Sequence, residues 1–363
     1  MVYLAVQYAK STGKSPHILA ARNAHKAFLS AVALCDTDVA WLTADAPSYL
    51  SCVPTAEALE SYLNSVDELP VALYLTSPDY LGFCADIRAL AEVCHRHGIL
   101  LLVDNAHGAY LKFLTPDVHP MTLGADLCCD SAHKTLPALT GAAYLHVSHS
   151  APALCREQAK HALSLFASTS PSYLILQSLD ALNRILSNDY DERLADAVVR
   201  ADACRTRLVA HGYRFLGDEA LKLTVDAKAY GYEGQVLASR LSSLGVEVEF
   251  SDRDFVVMML STETDAADLD RLQDAMCQIE QHASIAEKPP RFSLPARILS
   301  PREAIFAPNE TISLSAAEGR ILALATVGCP PAVPLAVCGE RLDRATLDAM
   351  AYYGMKTCTV VKE

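Results

Sequence analysis

Short apolar runs alternate with helix-like patterns over the first 150 residues, and this alternation restricts the fold more than any other feature of the chain. Strands are predicted at 39–44, 71–76, 99–104, 125–131 and 142–148, and helices at 24–35, 55–66 and 84–97. Repeated strand–helix–strand units place helices on both faces of a mainly parallel sheet. The sequence therefore predicts a three-layer α/β/α domain.

The pattern changes after residue 150. Helices are predicted at 156–166, 171–187, 191–211, 233–243 and 266–283, and strands at 220–227, 245–250 and 255–261. This mixture indicates a smaller α+β domain. Residues 286–304 are rich in proline and predict a connector, and a short tail with two helical patterns follows. We therefore expect three units, at 1–190, 191–285 and 286–363.

Charge and composition limit the possible partners. The net charge of -13 disfavours binding to nucleic acid or to an anionic membrane. The 12 cysteines include no C-x-x-C pair, so we expect reduced core residues and no metal site. The N-terminus does not have the pattern of a signal peptide, and no apolar run reaches the roughly 18 residues of a membrane span. These features predict a cytoplasmic protein without nucleic-acid or membrane partners.

Polar side chains follow three predicted strands at the points where the strands end. They are Thr76 with Ser77, then Asp104, and then Ser131 with Lys134. Ligands of parallel sheets bind beyond the carboxyl ends of the strands, so we expect these side chains at one edge of the sheet. A buried carboxylate and a buried lysine at the same edge are costly, and they therefore indicate chemistry.

Pyridoxal phosphate (PLP) uses such a combination of side chains. The cofactor needs a lysine amine for its resting Schiff base, an acidic partner for its ring nitrogen and hydroxyl donors for its phosphate. Lys134, Asp104 and Ser131 provide these groups. Ala106 follows Asp104 by two residues, so in an extended chain it projects to the same side and can support the ring.

Five segments give a more specific indication. They are DNAHGAY at 104–110, GADLCCDSAHKTLPALTG at 124–141, STSPSYLILQSLDA at 168–181, SPREAIFAP at 300–308 and GCPPAVPLAVCGE at 328–340. In this order they resemble the bacterial ornithine/lysine/arginine decarboxylases, PLP-dependent enzymes of the aspartate-aminotransferase fold, in the short form without a wing domain. The resemblance runs from about residue 18 to the C-terminus. It implies a PLP-dependent transferase-like fold and decarboxylation of arginine, lysine or ornithine, which feeds polyamine metabolism.

The resemblance also implies roles for individual residues. Lys134 carries the Schiff base, Asp104 pairs with the pyridinium nitrogen, and Lys134 or His133 returns a proton to Cα. Further cofactor contacts are implied for Ala106, His107, His25, Ser131, Ser168, Thr169 and Ser170, and a substrate contact for Glu340. His25, in the segment ARNAHKAF (21–28), would stack on the ring. Ser168–Ser170 would reach the cofactor phosphate of a neighbouring subunit, so the implied assembly is a homodimer or an oligomer of dimers.

Simpler interpretations stay open for several of these residues. His25 could be an ordinary helix residue, His107 a hydrogen-bonding core residue and Glu340 a solvated acid. Ser168–Ser170 could be the N-cap of a helix that starts near Pro171. For the whole chain, an aminotransferase or another lyase of the same fold is a second interpretation, and a weak or inactive homologue is a third.

The sequence departs from the family pattern in two motifs and at its start. Asn105 replaces the glutamate of D-E-A-H-G, and Ala332 and Val333 replace the Gly-Ile of P-P-G-I-P. Both replacements look tolerable. The family also has a Gly-Ser-Thr turn before a helix whose N-terminus binds the phosphate. The printed chain begins inside that helix, at 1–14, so we expect it to bind PLP weakly and an upstream extension to restore binding.

Overall fold

A six-stranded sheet forms the centre of the first 150 residues. In the computed structural model, which describes residues 1–291, 294–325 and 333–363, the strand order is β2-β1-β3-β4-β5-β6. The strands are β1 (His17–Ala21), β2 (Asp38–Leu42), β3 (Ala72–Thr76), β4 (Leu100–Asp104), β5 (Leu127–Asp130) and β6 (Tyr144–Val147). All are parallel except β6, which runs antiparallel to β5 at the edge. The predicted parallel sheet is confirmed, and β1 is a strand that the sequence pattern did not reveal.

Helices cover both faces of this sheet, as predicted. They are α1 (Val2–Thr12), α2 (Lys26–Cys35), α3 (Ala56–Ser65), α4 (Ile87–Arg96), α5 (Pro120–Leu123), α6 (Ala132–Thr135) and α7 (Ala153–Phe166). Side chains of α1, α2 and α7 pack in one core, and those of α3 and α4 pack in another. Along β3, Tyr74 belongs to the first core and its neighbours Leu73 and Leu75 to the second, because successive strand residues point to opposite faces.

The carboxyl ends of β3, β4 and β5 lie side by side. In the register of these strands Thr76 pairs with Asp104, and Asp104 pairs with Cys129. Lys134 follows β5 on the single-turn helix α6, whose N-cap is Ser131. The sheet thus brings polar residues from three separate segments of the chain to one edge.

A second sheet follows two long helices, α8 (Tyr173–Leu186) and α9 (Tyr190–Ala210). Its antiparallel strands have the order β7-β8-β10-β9. They are β7 (Phe215–Leu216), β8 (Lys222–Asp226), β9 (Phe250–Ser251) and β10 (Phe255–Met259), with helices α10 (Gly234–Ser243) and α11 (Ala266–Gln278). The strand predicted at 245–250 is largely wrong. The chain uses Gly245, with a φ of 82°, to turn out of α10 before it reaches the sheet at β9.

The last part of the chain forms a three-stranded sheet that the sequence pattern did not predict. Its order is β11-β13-β12. The elements are α12 (Pro301–Phe306), β11 (Asn309–Ser313), β12 (Leu322–Leu324), α13 (Arg344–Tyr352) and β13 (Thr357–Val361). Part of the tail motif, 328–332 with Ala332, lies outside the described residues. The boundaries of the three expected units stay predictions.

Among the helices of the described residues, none combines the length and the apolar character that crossing a membrane requires.

Candidate active site

Asp104 ends β4, and two donors hold its carboxylate. The hydroxyl of Tyr74 on β3 donates a hydrogen bond to Oδ2 at 2.9 Å. The backbone N–H of Ala106 donates to Oδ1 at 3.2 Å. Tyr74 is buried, whereas Asp104 and Ala106 are half-buried. The carboxylate is therefore fixed in orientation but still accessible.

Lys134 reaches the same edge of the sheet from α6. Its Nζ lies 3.1 Å from Nε2 of His107, which comes three residues after Asp104. The Lys134 side chain is exposed and Asp104 is half-buried, so the expectation that both groups are buried is wrong. The physical reason is that α6 is a single turn at the rim of the sheet, which leaves the long lysine side chain in contact with solvent.

His107 is a buried and neutral imidazole. Only 3% of its surface is exposed. Burial lowers the pKa of His107 well below its usual value, and the positive charges of Lys222 and Lys134 lower it further. The neutral ring can therefore accept a hydrogen bond from Lys134 at Nε2. Its Nδ1 is buried and has no hydrogen-bond partner in the described part of the chain.

His25 is the N-cap of α2, which gives it a structural role at the start of this helix, and its contact with the cofactor stays a prediction. Its Nδ1 accepts a hydrogen bond from the backbone N–H of Ala27 at 3.1 Å, which leaves the proton on Nε2. Burial lowers the pKa of His25, the charge of Asp104 opposes this, and the charges of Lys134 and Lys26 add to it. His25 follows the carboxyl end of the parallel strand β1 by four residues, so it lies at the edge of the sheet that carries Asp104 and Lys134.

Ser131 and His133 flank the lysine turn. The hydroxyl of Ser131 makes no capping hydrogen bond to α6. Nδ1 of His133 donates to the carbonyl oxygen of Ala142 at 2.9 Å, and the backbone N–H of His133 donates to the same oxygen at 3.3 Å. The ring of His133 is thus oriented by the chain that returns after the turn, and Nε2 is the ring nitrogen that can gain or release a proton.

A buried polar network that the sequence analysis missed lies next to the lysine turn. Oδ2 of Asp130 accepts hydrogen bonds from Nε2 of His146 at 2.8 Å and of His119 at 3.1 Å, and Oδ1 accepts from Nδ2 of Asn105 at 2.7 Å. Burial acts to raise the pKa of Asp130, but the bonds from His119 and His146 outweigh it and hold the pKa below its usual range. Asn105, which replaces the glutamate of the family pattern, is compatible with Asp130, because a second carboxylate at this distance would repel the first.

The same network contains a candidate group of metal ligands. Donor atoms of His119, Cys128 and Asp130 all lie within 4.8 Å of one another. Nδ1 of His119 accepts a hydrogen bond from the backbone N–H of Met121 at 3.2 Å, so the ring proton is on Nε2, which donates to Asp130. Hydrogen bonds therefore account for this arrangement as it stands. The expectation of a protein without a metal site stays a prediction.

Ser168, Thr169 and Ser170 lie in the exposed turn between α7 and α8. Oγ of Ser168 donates to the carbonyl of Ser170 at 3.2 Å and accepts from the Ser170 backbone N–H at 3.1 Å. The N-cap of α8 is Ser172, whose hydroxyl accepts the N–H of Ile175. The interpretation of Ser168–Ser170 as the cap of this helix is therefore wrong.

Glu340 is buried, with 2% of its surface exposed, and it pairs with Arg22. Nη2 of Arg22 lies 2.8 Å from Oε2 of Glu340, which also accepts the backbone N–H of Val337 at 2.8 Å. The interpretation of Glu340 as a solvated acid is wrong. Arg22 directly follows β1, so the ion pair attaches the tail to the edge of the sheet that carries His25.

A cavity of about 830 Å³ opens beside this pair. Its walls are Arg22 and Asn23 after β1, residues 43–49 after β2, and residues 288–291 of the connector. The cavity thus lies at the carboxyl edge of the parallel sheet, which is where such sheets bind ligands.

The side chains at this edge fit PLP. Asp104 offers an oriented carboxylate to a ring nitrogen, and Lys134 offers an amine that is exposed enough to react. The unpartnered Nδ1 of His107 is a buried polar atom of the kind that a bound polar group would satisfy.

Comparison with known proteins decides the family. The family model of the Orn/Lys/Arg decarboxylase major domain matches residues 4–220. The chain belongs to this family. Its cofactor is PLP, and the protein is a PLP-dependent amino-acid decarboxylase, as the resemblance of the five segments implied.

Curated relatives align with most of the decarboxylase. The arginine decarboxylase of Bacillus subtilis is 28% identical over 357 residues, which cover 92% of this chain and 72% of that protein. The uncharacterized protein YaaO of the same organism is 30% identical over 366 residues, which cover 94% of this chain and 74% of that protein.

Solved structures confirm the predicted fold class. The lysine decarboxylase LdcF of Francisella novicida has a TM-score of 0.80 at 16% identity, and the constitutive lysine decarboxylase of E. coli has a TM-score of 0.75 at 18% identity. Each match covers 99% of this chain and 68% of the other. At these identities the likeness concerns the fold alone.

Proposed function

We propose that the decarboxylase removes the α-carboxyl group of a basic amino acid and releases carbon dioxide and the corresponding amine. The observation that carries the proposal is the meeting of Lys134, Asp104 and His107 at the carboxyl edge of the sheet, with Nζ of Lys134 3.1 Å from Nε2 of His107. Family membership supplies the substrate class. Arginine is the first substrate to test, because several relatives are named arginine decarboxylases. Lysine and ornithine follow, and the amine product would feed polyamine metabolism.

The chain's own residues have distinct tasks in this proposal. When bound, PLP supplies the electron sink that takes up the electron pair left on Cα as carbon dioxide departs. Asp104 keeps the ring nitrogen protonated with a carboxylate that Tyr74 and Ala106 orient. Lys134 would hold the cofactor through its amine. Ala106 and His25 support the two faces of the ring.

A proton must return to Cα after carbon dioxide leaves. Lys134 and His133 are the proposed donors. His107 stays neutral in its buried position and accepts a hydrogen bond from Lys134, so it holds the amine in place without adding a positive charge. Ser131 contributes a hydroxyl that no helix cap uses.

The distal cation of the substrate needs an acidic partner. Glu340 is the partner that the family resemblance implies, and its carboxylate already accepts Nη2 of Arg22 at 2.8 Å. A substrate cation would therefore compete with Arg22. Asp45, which lines the cavity beside Arg22, is the second acidic candidate.

We also propose a homodimer, or an oligomer of dimers, formed through the α7–α8 surface. This surface consists of exposed apolar side chains on both sides of the turn that contains Ser168–Ser170. Its members are Leu163, Leu165, Phe166, Tyr173, Leu174 and Leu176, with exposed fractions from 48% to 84%. Apolar patches of this kind mark protein interfaces. In the proposed dimer Ser168, Thr169 and Ser170 extend into the neighbouring subunit and bind its cofactor phosphate.

A cytoplasmic location belongs to the same proposal. The eleven described cysteines form no disulfide, which is the state expected of thiols in a reducing compartment.

Release of carbon dioxide from defined amino acids tests the function. The protein is loaded with PLP, the visible absorbance of the bound cofactor is recorded, and turnover is measured with arginine, lysine and ornithine, with glutamate as the non-basic control. Release from at least one basic amino acid, and none from glutamate, supports the proposal. A protein that has bound cofactor but releases carbon dioxide from none of the three would contradict it.

A further inference from the structure

Tyr74 links two adjacent strands at the candidate active site. It lies on β3, and its phenolic oxygen is 2.9 Å from Oδ2 of Asp104 on β4. The residue is 3% exposed. The hydroxyl is therefore a buried polar group whose hydrogen bond is to the carboxylate that faces the cofactor in the proposed function.

The aromatic ring of Tyr74 is fixed before any ligand binds. It stacks on Phe28 of α2, with ring centroids 4.0 Å apart and an interplanar angle of 22°. Phe28 comes three residues after His25, the N-cap of the same helix. The stack thus aims the hydroxyl of Tyr74 at Asp104, and little side-chain freedom is lost when the hydrogen bond forms.

The hydroxyl of Tyr74 acts as a donor over the whole working range of pH. Burial raises the pKa of Tyr74 well above its usual value, and the negative charge of Asp104 raises it further. The phenol therefore keeps its proton and donates a hydrogen bond to the carboxylate.

The hydrogen bond leaves room for the cofactor. Oδ2 accepts from Tyr74 and Oδ1 accepts from the backbone N–H of Ala106 at 3.2 Å. Each carboxylate oxygen has a second lone pair, so both donors and a ring N–H can be satisfied together. The two donors fix the plane of the carboxylate from opposite oxygens.

We infer that Tyr74 is a positioning residue that holds the carboxylate of Asp104 in the correct orientation for the ring nitrogen of the cofactor. This inference rests on the proposed function of Asp104. A purely structural role would need only the aromatic ring, and phenylalanine at position 74 would keep that ring and its stack on Phe28. The positioning role needs the hydroxyl of Tyr74.

The affinity for PLP tests the inference without any substrate. Tyr74→Phe keeps the stack and removes the donated bond, and we expect the dissociation constant for PLP to rise about tenfold, the scale of one hydrogen bond to a charged group. Tyr62→Phe removes the hydroxyl of a half-buried tyrosine on α3, outside the site, and should leave the affinity unchanged.

A double-mutant cycle separates positioning from structure. In the Asp104→Ala background the hydroxyl no longer has this acceptor, so adding Tyr74→Phe should change the dissociation constant by less than about threefold. Equal losses in both backgrounds, no loss in the wild-type background, or a Tyr74→Phe chain that fails to fold would each overturn the inference. Failure to decarboxylate any basic amino acid would overturn the proposed function instead, since the cycle measures cofactor binding alone.

Discussion

Nζ of Lys134 lies 3.1 Å from Nε2 of a histidine, His107, that burial and two lysine charges keep neutral. A protonated imidazole in this position would repel the lysine ammonium, whereas the neutral ring accepts a hydrogen bond from it. The pair therefore holds the side chain of Lys134 at the edge of the sheet even though that side chain is exposed. This arrangement provides a lysine that is both oriented and reachable by a cofactor.

Lys134→Ala should abolish turnover, because it removes the amine that attaches the cofactor. Borohydride reduction of the PLP-loaded protein followed by peptide mapping should place the cofactor on Lys134. Lys26→Ala, which changes an exposed lysine beside His25, is the matched control and should retain activity. A cofactor found on any other lysine would refute the assignment.

Asp104→Asn should lower kcat by about 10²–10³, because it removes the charge that stabilises the protonated ring nitrogen with little change of shape. The measurement is the rate of carbon dioxide release at saturating substrate from the PLP-loaded variant. The control is Asp86→Asn, which keeps a side-chain oxygen at the N-cap of α4. Turnover of Asp104→Asn close to that of the wild type would exclude the role.

The periodicity of the sequence predicted the central sheet because most of its strands are apolar and are separated by helices. β1 was missed, since two of its five residues are alanine, a residue that is depleted in strands. The three-stranded sheet of the tail was missed for a different reason. Its strand β11, NETIS, is polar and largely exposed, and it pairs with β13 from the far end of the chain, so local pattern carries little information about it.

The residues at the strand ends were predictable, but their partners were not. Tyr74 looked like a core residue, and only the register of β3 and β4 brings its hydroxyl to Asp104. The bond between His146 and Asp130 likewise depends on the antiparallel pairing of β6 with β5. The sequence did contain one signal for this contact. Tyr74 stands two residues before Thr76, the last residue of β3, so their side chains point to the same face of the sheet.

The α7–α8 surface should mediate dimer formation. Leu174→Glu places a charge on a side chain that is 67% exposed in the chain described here, and we expect it to shift the protein to monomers and to weaken PLP binding. Val236→Glu, at a 45% exposed valine on α10, is the control and should leave the assembly unchanged. Sedimentation analysis measures the oligomeric state of each variant. A wild-type protein that is monomeric and yet fully loaded with cofactor would contradict the proposed composite site.

Glu340→Gln should destabilise the protein by about 3–5 kcal/mol, because it removes the negative charge that neutralises the buried guanidinium of Arg22. Glu310→Gln, at a partly exposed ion pair with Arg320, should cost less than about 1 kcal/mol. Chemical unfolding of both variants compares the two sites. If Glu340→Gln keeps its stability but raises KM, the carboxylate binds the substrate cation and its pairing with Arg22 is secondary.

Asp252→Asn should stabilise the protein more at high pH than at low pH. Burial raises the pKa of Asp252 to about 6, and the charge of Asp254 adds to this, although Asp252 accepts backbone hydrogen bonds from Asp254 and Phe255. Oδ2 has no partner in the described part of the chain. In the unfolded chain the pKa is about 3.9, so ionisation in the folded protein costs free energy that is absent below about pH 4, grows between about pH 4 and 6, and reaches about 3 kcal/mol above that.

The asparagine in this variant keeps an oxygen for both backbone N–H groups and removes the charge. The thermal midpoint of Asp252→Asn relative to wild type should therefore rise between about pH 5 and pH 8. Asp270→Asn changes an exposed carboxylate on α11 and should give a difference that does not vary with pH in this way. A relative midpoint for Asp252→Asn that is flat or falls over this range would mean that Asp252 is stabilised as an anion in the folded protein, which its unpartnered oxygen argues against.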